Sequence, residues 1–225
     1  MPDYTLSVDG STYSGTVALI RGREVIEERS LPDSGIPARG QRGEDFMPMV
    51  AECLAAGSVK PRDLARVVCG AGPGSFTSLR IAASIAKGIA VGAGCPLFAV
   101  SSLLLIPAAA QLPDGRYLTV LSAMRGDSYV LGVLIGDGVI ESGDSPRLLT
   151  ASLLADEAAG AGLILIGPDV GDSLRPHARG VARLLDQILA AGPCDVRSWE
   201  PTYGRLAEAQ VKWEVAHGRP LVVDA

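Results

Sequence analysis

The sequence predicts an α/β protein made of two related halves, each opening on three antiparallel strands. Three observations carry that prediction. Short alternating or apolar runs bounded by turn residues come in threes near residue 4 and again near residue 116. A strand, a glycine turn and a long helix of small residues follow one another over residues 64–91, which is a βα unit. Apolar residues make up 48% and charged residues 20% of the 225, the balance of an ordered chain able to bury a sizeable core.

Taken in order, Tyr4 to Asp9 alternates as a strand, Gly15 to Ile20 gives a second and Glu24 to Ser30 a third, with turns at Gly10 to Ser14 and Arg21 to Gly22. This is an antiparallel meander. After a Pro/Gly-rich loop from Leu31 to Gly43, the segment Glu44 to Ala56 carries a helical stripe of Phe46, Met49, Val50, Cys53 and Leu54, and Gly57 ends it. Leu64 to Cys69 reads as a buried strand leading through Gly70-Ala71-Gly72-Pro73-Gly74-Ser75 into a helix over Phe76 to Val91. A strand at Leu97 to Val100 and a helix from Ser101 to Gln111 complete a βββαβαβα order, that of a ribonuclease-H-like half spanning residues 1–110. The second half, 111–225, starts the same way, with strands at Arg116 to Ser122, Ser128 to Ile135 and Gly138 to Glu141, and turns at Arg125 to Asp127 and Gly136 to Gly138. Helices over Ala151 to Ala159 and Arg179 to Ala190 flank a strand at Leu163 to Ile166, so both halves are of βββαβα type.

Composition removes several classes of function. With 4% aromatics there is little material for stacking on bases, and a formal charge of −5 with a pI near 5.1 gives no field that attracts a nucleic-acid backbone. Cys53, Cys69, Cys95 and Cys194 form no CxxC pair and read as reduced residues of a cytoplasmic protein. The start of the chain carries no basic and apolar stretch of the signal-peptide kind. Between Lys87 and Asp114 no residue is charged, yet Gly88, Gly92, Gly94, Pro96 and Pro107 break the stretch into a helix end, a strand and a second helix rather than a membrane span.

The most specific string is Gly72-Pro73-Gly74-Ser75-Phe76-Thr77-Ser78-Leu79-Arg80-Ile81. Its glycines allow a sharp turn, and Ser75 or Thr77 can cap the following helix. Two readings stand at this point: a plain strand-to-helix connection, or an anion site at a helix N-terminus formed by Gly72, Gly74 and Ser75. Likewise Asp9-Gly10-Ser11-Thr12 is either an ordinary hairpin turn or a phosphate and Mg²⁺ turn with Asp9 as a hard oxygen ligand.

The string resembles the GPGSFTGLRIG signature of the TsaB (YeaZ) family within the actin-like ATPase superfamily. Val8-Asp9-Gly10-Ser11-Thr12 is similar to that family's IDTST, and Pro201-Thr202-Tyr203-Gly204-Arg205 is a weaker echo of its PxYLR. The resemblance implies an actin-like ATPase fold and a non-catalytic subunit that pairs with a TsaD-type transferase, with a TsaE-type ATPase completing a tRNA threonylcarbamoyladenosine assembly. It implies further that tRNA is met only through the complex, that ATP and Mg²⁺ belong to the partner complex with no cofactor held tightly by the chain itself, and that a homodimer is open to the chain alone. The dimer surface it implies lies on the two helices of the first half, with Phe46, Met49, Val50, Cys53, Phe76, Leu79, Arg80, Ala82, Ala83 and Ala86. The small residues suit close helix approach, and a charged side chain at Ala86 is expected to weaken dimerisation without unfolding the chain. The alternative is that these residues face the protein's own sheet.

No complete catalytic set is legible. TsaD-like relatives hold a metal with two histidines at i and i+4, where this chain has Ser102 and Ile106, and its two histidines, His177 and His217, are remote in sequence. Ser75 has no evident His partner. The rival function is a free-standing ATPase or small-molecule kinase using Asp9 and the Gly72 to Ser75 turn. The chain departs from the family pattern at Arg42, at Ser78 and Ala82, which replace the signature's last glycines, and at Ser122, each in a segment expected near the partner.

Overall fold

In the computed structural model the described residues are 3–31, 42–123, 126–143, 145–171, 173–204 and 217, with side chains in the helix 42–56 described from residue 46. The loop 32–41, Met124 and Arg125 of the expected turn, and Arg205 lie outside them.

The first half forms a five-stranded sheet in the order β3-β2-β1-β4-β5, from β1 (Tyr4–Asp9), β2 (Thr16–Arg21), β3 (Glu24–Ser30), β4 (Leu64–Gly70) and β5 (Leu97–Val100). β1 pairs antiparallel with β2 and parallel with β4. The alternation of β1 divides its side chains cleanly. Leu6 and Val8 enter the core under α1 (Arg42–Ala56) and α2 (Phe76–Ala93), while Asp9 turns toward α3 (Ser102–Ala108) on the opposite face. α2 stops at Gly94, whose φ of 68° supplies the left-handed C-terminal turn.

The second sheet runs β10-β6-β7-β8, from β6 (Gly115–Ser122), β7 (Asp127–Gly136), β8 (Val139–Glu141) and β10 (Ile164–Ile166), and β9 (Arg147–Thr150) also pairs with β7. The strand β9 was not expected. It arises because the third strand of this half is split: β8 covers Leu134 to Gly136 of β7 and β9 covers Asp127 to Val130. Four residues are too few to show a period in sequence. α4 (Ala151–Ala161) covers the outer face, with the Thr150 hydroxyl accepting from the Leu153 amide as its N-cap.

Between the sheets lies the largest core. It joins Ile20, Val68 and Val100 of the first sheet, Leu103 and Ile106 of α3, Leu131 and Ile135 of the second sheet, and Leu184 and Ile188 of α5 (Val181–Ala191). The charge-free stretch after Lys87 is thus the end of α2, then β5 and α3, as its punctuation predicts. By length and composition alone α2 is one helix that can cross a membrane, but its alanine face is packed on the sheet. Among the described residues the second sheet has no counterpart of β5. Instead the chain after α5 returns to the first half, where Cys194 bridges antiparallel to Leu97.

Candidate functional site

Two features converge at the C-terminal ends of β1 and β4, the usual place for a site in an α/β sheet. The first is a buried polar junction. Asp9, 1% exposed, accepts from the Ser11 amide (3.1 Å) and hydroxyl (2.6 Å) on Oδ1 and from the Ser102 hydroxyl (2.6 Å) on Oδ2. Burial pushes its carboxyl above the usual carboxylate range, against the opposing pull of the Ser102 hydroxyl and then the Ser11 hydroxyl and amide. Gly70 is required beside it, since a Cβ there would collide with Oδ2.

The residues expected to hold phosphate do come together here, but their donors are spent on one another. The Gly72 amide donates to the Ser102 hydroxyl (3.1 Å), the Ser75 amide to the Ser11 carbonyl (2.8 Å) and the Ala71 amide to the Val100 carbonyl (2.7 Å). Gly74 lies directly on the Ser11 backbone, leaving no room for a Cβ. Ser75 sits at the N-cap of α2, yet its hydroxyl donates to Ser78 Oγ rather than capping the helix, so the expected hydroxyl cap is not made. Thr12 Oγ1 is buried with no hydrogen-bond partner among the described residues. Both Asp9 oxygens and the Ala71, Gly72 and Ser75 amides are thus engaged within the chain itself. Ser102 and Ile106, at the i and i+4 positions of α3, serve respectively as the Asp9 donor and as a fully buried core residue. Among the described residues no three His, Cys, Asp or Glu side chains cluster as metal ligands.

The second feature is the outer face of α1 and α2. Here the expected interface needs correction: Phe46, Met49, Val50, Cys53, Ala82, Ala83 and Ala86 are buried in the chain's own core, and Leu79 is buried beside them. They hold the helices on the sheet and on each other. The reason is visible at Gly10, where a Cβ would collide with the Ser78 carbonyl and the Ala82 methyl, so the β1–β2 turn rests directly on the small-residue face of α2. The departures at Ser78 and Ala82 are therefore absorbed inside the chain. Ser122 is exposed at the end of β6, its amide donating to Asp169 (2.8 Å), while the Arg42 side chain is outside the described residues.

Of the expected set Arg80 alone lines the outward groove of the two helices. Met47, Arg80, Ile81, Ser84 and Ile85 line an open groove of about 470 Å³. Ile81 and Ile85 show in sequence as an i, i+4 pair; Met47 and Ser84 carry no such signal. A second depression of about 560 Å³, at Val139 to Gly143 and Gln187, has its amide nitrogen committed to the Ile140 carbonyl.

A strap of chain joins the two features. Residues 194–204 leave α5, and Val196 and Trp199 pack on the α1–α2 core, with Lys87 Nζ 5.9 Å from the Trp199 ring centre. The Thr202 amide donates to the Ala71 carbonyl (2.8 Å), and the Tyr129 hydroxyl of the second sheet donates to the Tyr203 carbonyl (3.3 Å). Gly72 (φ 84°) must lack a side chain because the Thr202 carbonyl lies against it. Tyr203 stacks on Phe76, ring centres 4.5 Å apart at 46°. Only the weak PTYGR echo marked this segment in sequence, and Tyr203 was not expected at the site.

A family model described as TsaD, tRNA N6-adenosine threonylcarbamoyltransferase, matches residues 37–142. The Bacillus subtilis tRNA threonylcarbamoyladenosine biosynthesis protein TsaB is 28% identical over 92% of this chain and 96% of its own length. A crystal structure of an uncharacterized Pseudomonas aeruginosa protein with similarity to peptidase YeaZ superposes with a TM-score of 0.76, at 25% identity, over 90% of this chain and all of that one. Along nearly its whole length the chain is similar to TsaB and YeaZ proteins. The Escherichia coli TsaB is 36% identical over 55% of this chain and 52% of its own. YeaZ from P. aeruginosa, at 22% identity, shares the fold with a TM-score of 0.72 over 89% of this chain and 99% of that one. The architecture is the actin-like ATPase fold. Within the TsaB/YeaZ signature of this chain, Gly72 and Gly74 make the turn, Ser78 and Ala82 seat the Gly10 turn, and Arg80 and Ile81 reach the surface.

Proposed function

We propose that this chain is the non-catalytic dimerisation and activating subunit of a cytoplasmic tRNA threonylcarbamoyladenosine modification complex, pairing with a TsaD-type transferase through α1 and α2. The observation that carries the reading is the match to a protein named for that biosynthesis along nearly the whole length of both chains. The outward face of α1 and α2 supports it, since it gathers Met47, Ile81 and Ile85 around an open groove, and Val91 further along α2 is also exposed. The junction at Asp9 supports a role without catalysis, because its polar groups satisfy one another. In this reading a TsaE-type ATPase joins the wider assembly, ATP and Mg²⁺ are held by the partners, and tRNA is reached only through them. Against a free-standing ATPase or kinase stands the use of the Gly72 and Ser75 amides within the chain itself.

The test is co-purification with the TsaD-type protein of the same genome, followed by tRNA modification with and without Ile85→Glu. A stable complex whose activity needs this chain and falls with the substitution is expected. Full modification in the absence of this chain, with no complex, would overturn the proposal.

A further inference from the structure

Met47 stands apart from the other described sulfur-bearing side chains. It is 49% exposed and lines the groove of about 470 Å³ with Arg80, Ile81, Ser84 and Ile85, whereas Met49, two residues on, is 7% exposed in the α1–α2 core. Two steps along a helix turn a side chain by about 200°, which sends one methionine outward and the other inward. The thiols are less available. Cys53 and Cys69 are buried, and Cys95 and Cys194 are half-buried. Burial first of all raises the pKa of each, that of Cys53 to about 11, so little of the reactive thiolate forms at neutral pH. A thioether has no proton to lose, and exposure decides whether an oxidant reaches it.

We propose that Met47 is a modification site: a hydroperoxide oxidises its thioether to the sulfoxide while the chain is unassembled, and the sulfoxide weakens pairing through the α1–α2 face. With hydrogen peroxide the sulfur lone pair attacks one oxygen, the O–O bond breaks, an S–O bond forms and the second oxygen leaves as water. Sulfur loses two electrons and the peroxide gains them. The flexible apolar side chain beside Ile81 and Ile85 becomes a polar one. A partner surface that fits the thioether then has to bury an acceptor oxygen, which costs affinity unless a donor meets it. The step is reversible, because a methionine sulfoxide reductase returns the thioether at the expense of a dithiol. The inference rests on the subunit reading above and adds to it a chemical state that sets how much of the chain can assemble.

The test treats the free chain, and its complex with the TsaD-type protein of the same genome, with hydrogen peroxide. Mass spectrometry of the peptides locates the added oxygen, and calorimetry gives the affinity before and after. Met47 of the free chain should gain one oxygen well ahead of Met49, and much more slowly inside the complex. Affinity of the oxidised chain should fall about 10- to 100-fold and return after a methionine sulfoxide reductase with dithiothreitol has acted. Met47→Leu, whatever its own starting affinity, should lose none on treatment, while Met47→Gln should be weakened without it. Binding unchanged by complete oxidation of Met47, oxidation as fast in the complex as in the free chain, or an equal loss in Met47→Leu would overturn the role of Met47. A complex that forms all the same in untreated protein leaves the subunit reading standing. An untreated chain that does not bind the partner overturns both.

Discussion

Ala86 and Ile85 are neighbours on α2 whose side chains point about 100° apart, and a glutamate at each separates the chain's own core from its outward face. Ala86 is 0% exposed and packs among α1, α2 and the sheet. A buried glutamate there stays protonated at neutral pH, which costs at most about 4 kcal/mol at pH 7, roughly 2.7 units above its free pKa at about 1.4 kcal/mol per unit. Overpacking in a closed core adds about 1–3 kcal/mol. The sum, about 5–7 kcal/mol, is comparable to the whole stability of an ordinary domain, typically about 5–15 kcal/mol. Ala86→Glu should therefore lower the urea midpoint by roughly 2 M, or prevent folding, given a slope of about 1–3 kcal/mol per molar. Ile85→Glu, on the half-buried outer face, should cost no more than about 1 kcal/mol. The pH dependence gives a second signature. A glutamate with a raised folded pKa destabilises most above that pKa, so the Ala86→Glu deficit should shrink by about 2–3 kcal/mol between pH 7 and pH 5. Urea denaturation followed by circular dichroism at both pH values measures it. An Ala86→Glu chain as stable as the wild type would refute the packing of α2 described above and return Ala86 to the partner-facing side.

Gly72→Ala places a methyl against the Thr202 carbonyl at a positive φ and should cost about 2–4 kcal/mol, with faster proteolysis near the strap as the readout. Asp9→Ala leaves the Ser11 and Ser102 hydroxyls without their acceptor and should destabilise by about 2–5 kcal/mol, while calorimetry with Mg·ATP is expected to show no binding by the wild-type chain or the variant. His177 accepts from the Arg179 amide on Nδ1 (3.1 Å) and meets the Ser30 hydroxyl through Nε2 (3.2 Å), and burial first of all pulls its pKa from 6.5 down to about 4. The unfolded chain then binds the extra proton between those values, so stability is full above about pH 6.5 and falls as the pH drops toward 4. His177→Gln should flatten the urea midpoint over that window, and an unchanged slope would place the titrating group elsewhere.

The element order was legible because β1 alternates, β2 and β4 are largely apolar, and Leu97–Val100 stands between Pro96 and Ser101 as a bounded run. β9 escaped because Arg147–Thr150 has only one apolar pair, and no local pattern announces that the chain leaves β7 after β8 and returns to its other end. The site was legible only in part. The glycine turn and Asp9 fall together as the motif suggests, but whether their amides and hydroxyls face a ligand or one another depends on Ser102, from α3, and that is a tertiary fact. The same holds for α2. A run of Ala82, Ala83 and Ala86 permits close approach by a sheet, by α1 or by a second protein, and small side chains carry no mark of which one arrives. Gly10 decides it, since its missing Cβ is what lets the β1–β2 turn come down on Ala82.

The return of residues 194–204 to the first half bears on the order in which the protein assembles during synthesis. Domains generally fold from the N-terminal end as the chain emerges, at about 5–20 residues per second. Here the first sheet is complete by Val100, but the edge of β5 waits for Cys194, the end of the α1–α2 core for Val196 and Trp199, and Phe76 for Tyr203. The earliest part of the molecule to be made is among the last to close. A ribosome stalled after the first hundred residues would hold a sheet whose apolar flank is still bare, and the start of α2 would lack the Tyr203 ring beside Phe76 until residue 203 had emerged.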